Sequence, residues 1–599
     1  MEKIAEFNDL INTFVWTKVG VWLLIATGML LTVLTKFFQV THIGHWMKKT
    51  VGSMFDKKVI GHTDDKASIS QFQALCTALA ATVGVGNIAG VSAAIITGGP
   101  GAVFWMWLAA FFGMMTNYSE NILGIYYRRK NYLGEWSGGA MYYLQDGLGG
   151  KNDIKGIKAV KCFVGMVLTV LLVIGILCVG PIIIYSSNLS SAIIVSSFWT
   201  ILYYIVLAIV LITIVALTIT KKWDSLIPIS EKVLGAWGKL LAVVFAICAV
   251  LASFGIGNMG QVNKIVKNLT SAFDIKALSS HVLYSSDGTD VTLYMLIVGL
   301  IIMALVGFVV IGGLQRIAIV AEKIIPFMVV MYILGSLVII VANAGQIGTA
   351  FGHIFGMAFT KNAAWGGATG VAFKTIITQG CKRGVFSNEA GLGSSVMVHS
   401  NSNVREPVKQ GLWGIFEVFA DTIIVCTMTA MTILTSGVID LETGIPVTGD
   451  DATLVAEAFN TIFKAGSFEF GRGFIAIAIL LFAFTTVLGW SHYGTKAVEY
   501  LAGKNAAKAT RVYKIIFVVM IISGALLTSS LAWDISDTFN GMMMIPNLIG
   551  VLSLTPLVMK LTKNYVRRRI RGEDIEPMLS FDPEIQKENA KVIKETGEE

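Results

Sequence analysis

Charge is scarce in this 599-residue chain: Asp, Glu, Lys and Arg make up 14% of it, against 55% hydrophobic residues. Soluble domains carry about 25% charged residues, so a water-exposed globular surface is excluded. Cysteine is scarce too. The six present (Cys76, Cys162, Cys178, Cys248, Cys381 and Cys426) lie mostly in apolar stretches without a CxxC or Cys/His ligand spacing. That argues against a disulfide framework and against zinc. The seven histidines are scattered, and neither HExxH nor a nucleophile elbow occurs; an enzyme is not expected, nor any cofactor. The net charge of +8 is confined to particular loops, as membrane orientation requires, so nucleic acid is not an expected partner.

Long apolar runs are what the chain has instead. Runs of roughly 20 residues, the length that crosses a bilayer, recur from end to end. They fall at 19–38, 69–97, 103–125, 162–186, 191–219, 236–260, 291–313, 319–342, 367–398, 408–435, 473–499, 512–531 and 540–560, about 13 spans in all. The first follows Glu2, Glu6 and Asp9 rather than a basic head, and is expected to be a retained helix. Alternate loops carry Lys48, Lys49, Lys57 and Lys58, then Arg128, Arg129 and Lys130, then Lys221 and Lys222, then Lys504, Lys508 and Arg511, with Arg567 to Arg569 after the last span. The positive-inside rule makes that side cytoplasmic. The expected layout is an outside N-terminus with a first helix over 1–38, a core over 69–560 holding the inserted helices 162–219, and a cytoplasmic tail over 561–599.

Two expected spans contain residues that a lipid-facing helix avoids, and they share a pattern: Asn87-Ile-Ala-Gly90 and Asn388-Glu-Ala-Gly391. With the spans at 162–186 and 191–219 set aside, each motif opens a block of five. An odd-numbered repeat must be inverted in the membrane. Broken first helices of such repeats give cation-coupled transporters a midplane site, with free carbonyls for a cation and free amides for a carboxylate. Gly84-Val85-Gly86 can leave helical geometry there; the competing reading is that Gly86 and Gly90 merely let helices pack closely. Glu389 can bind a cation, relay a proton or form a local ion pair with Lys382 or Arg383. Glu417 and Asp421, four apart, share a helix face that can point inward. Thr485 and Thr486 can add oxygen ligands to a monovalent cation or bond their own backbone. Gln261 ends a span with a polar group, and Trp490 either walls off a site or belongs to an interfacial belt.

Gly84-Val-Gly-Asn-Ile-Ala-Gly90, Gly98-Gly-Pro-Gly-Ala-Val-Phe-Trp-Met-Trp107, Gly255-Ile-Gly-Asn-Met259, Val385-Phe-Ser-Asn-Glu-Ala-Gly-Leu-Gly393 and Leu488-Gly-Trp-Ser491 together resemble the alanine or glycine:cation symporter family. The resemblance runs in order from about residue 19 to 560. It implies an all-α polytopic membrane protein with a leucine-transporter-like inverted five-helix repeat, plus one N-terminal and two inserted helices. It also implies sodium-coupled uptake of alanine or glycine across the cell membrane, so that the partners are an amino acid, a sodium ion and the lipid bilayer. Carried over by position, sodium falls to Thr82, Val85, Thr485 and Thr486, and substrate to Gly86, Asn87, Gln261, Phe386 and Trp490. Gating or coupling falls to Ser387, Asn388, Glu389, Glu417 and Asp421. Val85 stands where the family often has Thr, and the stretch 155–235 is longer than the family's usual loop. Proton coupling through Glu389, Glu417 or Asp421 is the nearest alternative; a channel, which favours symmetric pores or charge rings, is further off.

Overall fold

The computed structural model describes residues 2–55, 68–149, 231–286, 289–359, 371–441, 453–464, 469–527 and 531–596, with a few isolated positions between them. Helix dominates. Among the described residues the strands form only three two-stranded hairpins: Arg129–Lys130 with Trp136–Ser137, Val282–Ser286 with Thr289–Thr292, and Asn362–Ala363 with Val371–Ala372.

The principal helices are α1 (Ala5–Leu34), α2 (Gln71–Thr82), α3 (Ala89–Gly98), α4 (Gly101–Tyr126), α5 (Glu231–Phe254), α6 (Gly260–Ala272), α7 (Leu293–Ile311) and α8 (Gly313–Ala342). They continue with α9 (Ile347–Ala358), α10 (Phe373–Asn388), α11 (Pro407–Thr435), α12 (Phe470–Ala502), α13 (Ala506–Ala525), α14 (Leu531–Tyr565) and α15 (Pro583–Thr596). Among the described residues seven helices are long and apolar enough to cross a bilayer, or eight when the bent pair of α2 with Val85–Gly98 counts as one.

The difference from about 13 spans has physical sources. The expected helices 162–186 and 191–219 lie, apart from isolated positions, outside the described residues. The span expected at 103–125 is the continuous helix α4, but its second half carries Asn117, Ser119, Glu120 and Asn121, all buried, which lowers its hydropathy. Among the described residues the span expected at 367–398 is broken after the 16 residues of α10, with only the short helix Val396–His399 beyond the break. Finally, α12 and α13 join in one 56-residue run, roughly 84 Å long if straight and far beyond a bilayer core of about 30 Å. The run doubles back at Gly503, whose φ is +51°. Tyr513 of α13 packs onto Gly494 of α12, each about the same distance from that turn.

Helix α4 is the central post, with α10 and α11 packed along it. Small residues let them approach: Gly380 and Gly384 of α10 rest on Ala102 and Met106, and Gly411 and Gly414 of α11 rest on Tyr118 and Asn121. Helix α2 starts at a capping box in which Ser70 Oγ accepts from Gln73 N and Gln73 Oε1 accepts from Ser70 N, both at 3.1 Å, worth about 1 kcal/mol. Gly489 of α12 packs against Ala81 of α2.

Up to residue 596 the tail packs on the core and ends in α15, where sequence composition leaves helix and disorder both open. Arg568 Nη2 donates to the buried Glu406 at the start of α11 at 2.5 Å. Phe581 N donates to Tyr126 O at 3.1 Å, and its ring lies 5.1 Å from that of Tyr127. The segment before α15 is thereby strapped to the end of α4.

Candidate functional site

The α2 helix stops because Gly84 N–H turns forward to Asn87 Oδ1 at 2.9 Å instead of back along the helix. Gly84 is extended, with φ −128° and ψ −154°, and a single turn over Val85–Asn87 leads into α3 after a 61° bend. Such a break leaves carbonyls at the end of α2 and amides at the start of α3 without helical partners. The second break is sharper. Helix α10 ends at Asn388, Glu389 takes φ +54°, and Gly391 and Gly393 follow at +92° and +73°. Glu389 is the costly position, since a non-glycine residue in the left-handed region is strained by roughly 1–2 kcal/mol.

Asp421 joins the two breaks. Its Oδ1 accepts from Asn87 Nδ2 at 2.7 Å, and its Oδ2 accepts from Ser387 Oγ at 2.7 Å and Thr422 Oγ1 at 2.8 Å. Asn388 Nδ2 donates to Thr422 Oγ1 at 3.0 Å, and Thr429 Oγ1 donates to Asn87 O at 2.8 Å. The equivalent asparagines of the two Asn-x-Ala-Gly motifs thus meet neighbouring residues of α11. Asp421 lies in a widened turn of that helix over Phe419–Cys426, the kind of π-type irregularity that gathers at functional sites.

That turn separates Asp421 from Glu417, which the sequence places on the same face. Glu417 Oε2 accepts from Asn117 Nδ2 at 3.1 Å and faces His399 Nε2 at 3.0 Å. Gln410 Nε2 meets His399 Nδ1 at 2.5 Å. An amide nitrogen only donates, so His399 carries its proton on Nε2, toward Glu417. The ion pair considered for Glu389 is not formed: Lys382 pairs with Asp537 at 2.6 Å, and Ser394 Oγ donates to Glu389. Trp490 is 1% exposed and packs on Gly257 and on Tyr493 at 5.4 Å, which removes it from an interfacial belt.

Around the first break, a Cβ placed on Gly84 would lie 2.5 Å from Thr486 Oγ1 and 3.6 Å from Gln261 Oε1. Gln261 Nε2 donates to Ile256 O at 3.1 Å, while its buried Oε1 has no hydrogen-bond partner among the described residues. One placed on Gly86 would lie 3.2 Å from Phe386 Cδ1. Gly84, Thr486 and Gln261 therefore share one small buried volume, and Gly86 and Phe386 share its neighbour. The remaining expected residues stand further back. Val85 is buried, Thr82 Oγ1 donates to Ala78 O at 3.3 Å, and Thr485 Oγ1 donates to Leu481 O and Phe482 O and touches Met328 Sδ at 3.8 Å. Thr486 also back-bonds to Phe482 O at 2.9 Å, but its hydroxyl keeps acceptor capacity toward Gly84.

Sequence reasoning missed Glu120. It is fully buried on α4, where its Oε1 accepts from Asn547 Nδ2, and Asn547 also donates to Gly391 O at 2.8 Å. It thereby supports the second break from behind. The signal was available, since an acid in a membrane-length helix is costly unless it has a task. Glu120→Ala is expected to leave a buried donor of Asn547 unpaired and to lower stability by about 1–3 kcal/mol, measurable as a lower midpoint of thermal unfolding in detergent.

Membrane-length helices, one of them broken at its middle, and a second break tied to it through one buried carboxylate define a polytopic membrane transporter. Residues 1–238 and 231–578 match the family described as the sodium:alanine symporter family. The chain belongs to that family. It is 35% identical over 565 residues to the sodium/alanine symporter AgcS of Methanococcus maripaludis, covering 94% of this chain and 97% of that one. An uncharacterized transporter of Haemophilus influenzae is 32% identical over 94% of this chain and 97% of its own. The probable sodium/glutamine symporter GlnT of Bacillus subtilis is 30% identical over 96% and 93%.

Proposed function

We propose that the protein is a sodium-coupled symporter of a small neutral amino acid, alanine or glycine, working by alternating access. The observation that carries this reading is the meeting of Gly84, Thr486 and Gln261 at the break between α2 and α3. Sodium is a hard ion that takes oxygen ligands. The carbonyls of Thr82 and Val85, the negative end of α2 and the hydroxyl of Thr486 supply them, and that of Thr485 joins once it turns from Leu481 O and Phe482 O toward the ion. Amides at the start of α3 favour a carboxylate. Gly86 and Asn87 then hold the substrate's backbone, the free Oε1 of Gln261 accepts from its ammonium group, and Phe386 and Trp490 bound its side chain. Phe386 lies close against Gly86, which favours a methyl group or hydrogen over the longer side chain of glutamine.

Ser387, Asn388, Glu389, Glu417 and Asp421 form the gating and coupling set in this reading, since Asp421 bonds both breaks at once. The architecture that goes with it is an inverted five-helix repeat of the leucine-transporter type within about 13 spans. The N-terminus lies outside the membrane, the core covers 69–560, and 561–599 is a cytoplasmic tail.

Purified protein in liposomes tests the function: labelled alanine and glycine are expected to accumulate saturably under an inward sodium gradient and not under a proton gradient alone. Uptake that ignores both gradients removes symport. Accumulation driven by protons alone supports the second reading, which buried Glu389, Glu417 and Asp421 favour because no Lys or Arg pairs with them among the described residues. For the ion site, Thr486→Val is expected to raise the half-saturating sodium concentration by about tenfold, one charge-assisted oxygen contact. The double change with Thr485→Val should raise it further. Unchanged sodium activation takes both hydroxyls out of the site.

A further inference from the structure

A second pocket lies far from the breaks, between the end of α1 and the end of α14. It is a groove of about 650 Å³ lined by Lys36, Lys560, Lys563, Arg567 and Arg571, with no carboxylate in its wall. Arg567 is engaged, donating Nε to Glu573; Lys36, Lys560, Lys563 and Arg571 are exposed. His42 also lines the groove, and burial lowers its pKa below the usual histidine value, so the positive charge there comes from lysine and arginine. The floor and lips are apolar: Leu34, Phe38, Met559, Val566 and Ile570 line it, and exposed Val33 and Phe37 stand beside it.

Basic residues near the end of α14 have an ordinary explanation, because cations favour a helix C-terminus and long side chains reach out of the membrane from there. Lys36 also follows a helix C-terminus, that of α1, but its backbone sets it apart. It reaches the groove from the other helix, and it does so from a strained backbone. Lys36 and Phe37 take φ +59° and +55°, in a turn where Phe37 N closes onto Thr32 O at 2.7 Å. A glycine is the usual residue at such a helix end, and strain kept at a lysine points to a use for its ammonium group.

We propose that this groove binds one anionic phospholipid, its phosphate held among Lys36, Lys560 and Lys563 and its acyl chains laid along the Leu34, Met559 and Ile570 wall. A basic cleft over an apolar wall at the end of two membrane helices complements both parts of such a molecule. Bound there, the lipid clamps α1 to α14.

The full-length protein in detergent, titrated with phosphatidylglycerol, phosphatidylcholine or inorganic phosphate, tests this by thermal unfolding and by native mass spectrometry. One phosphatidylglycerol is expected to be retained with a saturable rise in unfolding temperature, and phosphatidylcholine to give neither. The triple variant Lys36→Gln, Lys560→Gln, Lys563→Gln should bind phosphatidylglycerol weaker by roughly fivefold for each cation removed. Lys504→Gln, Lys508→Gln, Arg511→Gln, the same charge loss elsewhere, should bind as the parent does. Lys36→Gly guards against a folding artefact: relief of strain should raise its lipid-free unfolding temperature while the shift on adding phosphatidylglycerol shrinks. Equal retention by parent and triple variant overturns the proposal. So does an equal stabilisation by inorganic phosphate, which would make the groove a phosphate site, or by phosphatidylcholine.

Discussion

Asp421→Ala is expected to be among the most damaging single substitutions in the chain, lowering stability by about 3–5 kcal/mol and abolishing uptake. The residue is fully buried and accepts from Asn87, Ser387 and Thr422. Its removal strands three buried donors, each costing about 1–3 kcal/mol when unpaired. Cys426 Sγ, 3.5 Å from Asn87 Nδ2 and 3.2 Å from Ser387 Oγ, can take back part of that loss, so the total falls short of the full sum. Asp421→Asn should be milder in stability, because one oxygen acceptor remains, yet still impair transport, because its amide group faces donors. Unfolding midpoints in detergent and uptake in liposomes separate the two effects. An Asp421→Ala protein with parental stability and uptake would show that the breaks are held together by other contacts.

The second large effect is expected at Gly84. Its φ and ψ are extended and open to any residue, so the constraint there is space. A methyl group placed on Gly84 meets Thr486 Oγ1 at 2.5 Å and must either turn that hydroxyl off its bond to Phe482 O or displace the break itself. Overpacking of this kind costs roughly 1–3 kcal/mol. A shift of about 1 Å in positioned groups can cost about 100-fold in turnover. Gly84→Ala should therefore fold and insert while losing uptake by about 100-fold. Adding Thr486→Ala should restore thermal stability without restoring sodium dependence. Should the double variant stay as unstable as the single one, the clash does not lie with Thr486.

The reach of the sequence can be judged at these same residues. Hydropathy alone marks the membrane-length helices, because a bilayer admits few alternatives to a long apolar helix. It marks α4 as well, as the run 103–125, but leaves unread the buried Asn117, Glu120 and Asn121 of its second half, which serve contacts that only the packed structure creates. Glu417 and Asp421 are a similar case: spacing puts them on one face, and the widened turn at Phe419–Cys426 sends them to different partners.

What the sequence by itself determined is that the chain lives in a membrane and breaks its helices at Gly84 and near Glu389. Family membership was legible too, in ordered local motifs. Each of these is written in neighbouring residues, through apolar run length and through glycine where helical geometry must lapse. Only the tertiary structure decided that Asn87 and Ser387 share Asp421, that Thr486 rather than Thr485 faces Gly84, and that Glu120 braces the second break. These are contacts across helices tens to hundreds of residues apart, fixed by side-chain direction and by the close approach that small residues permit, and no local pattern encodes them.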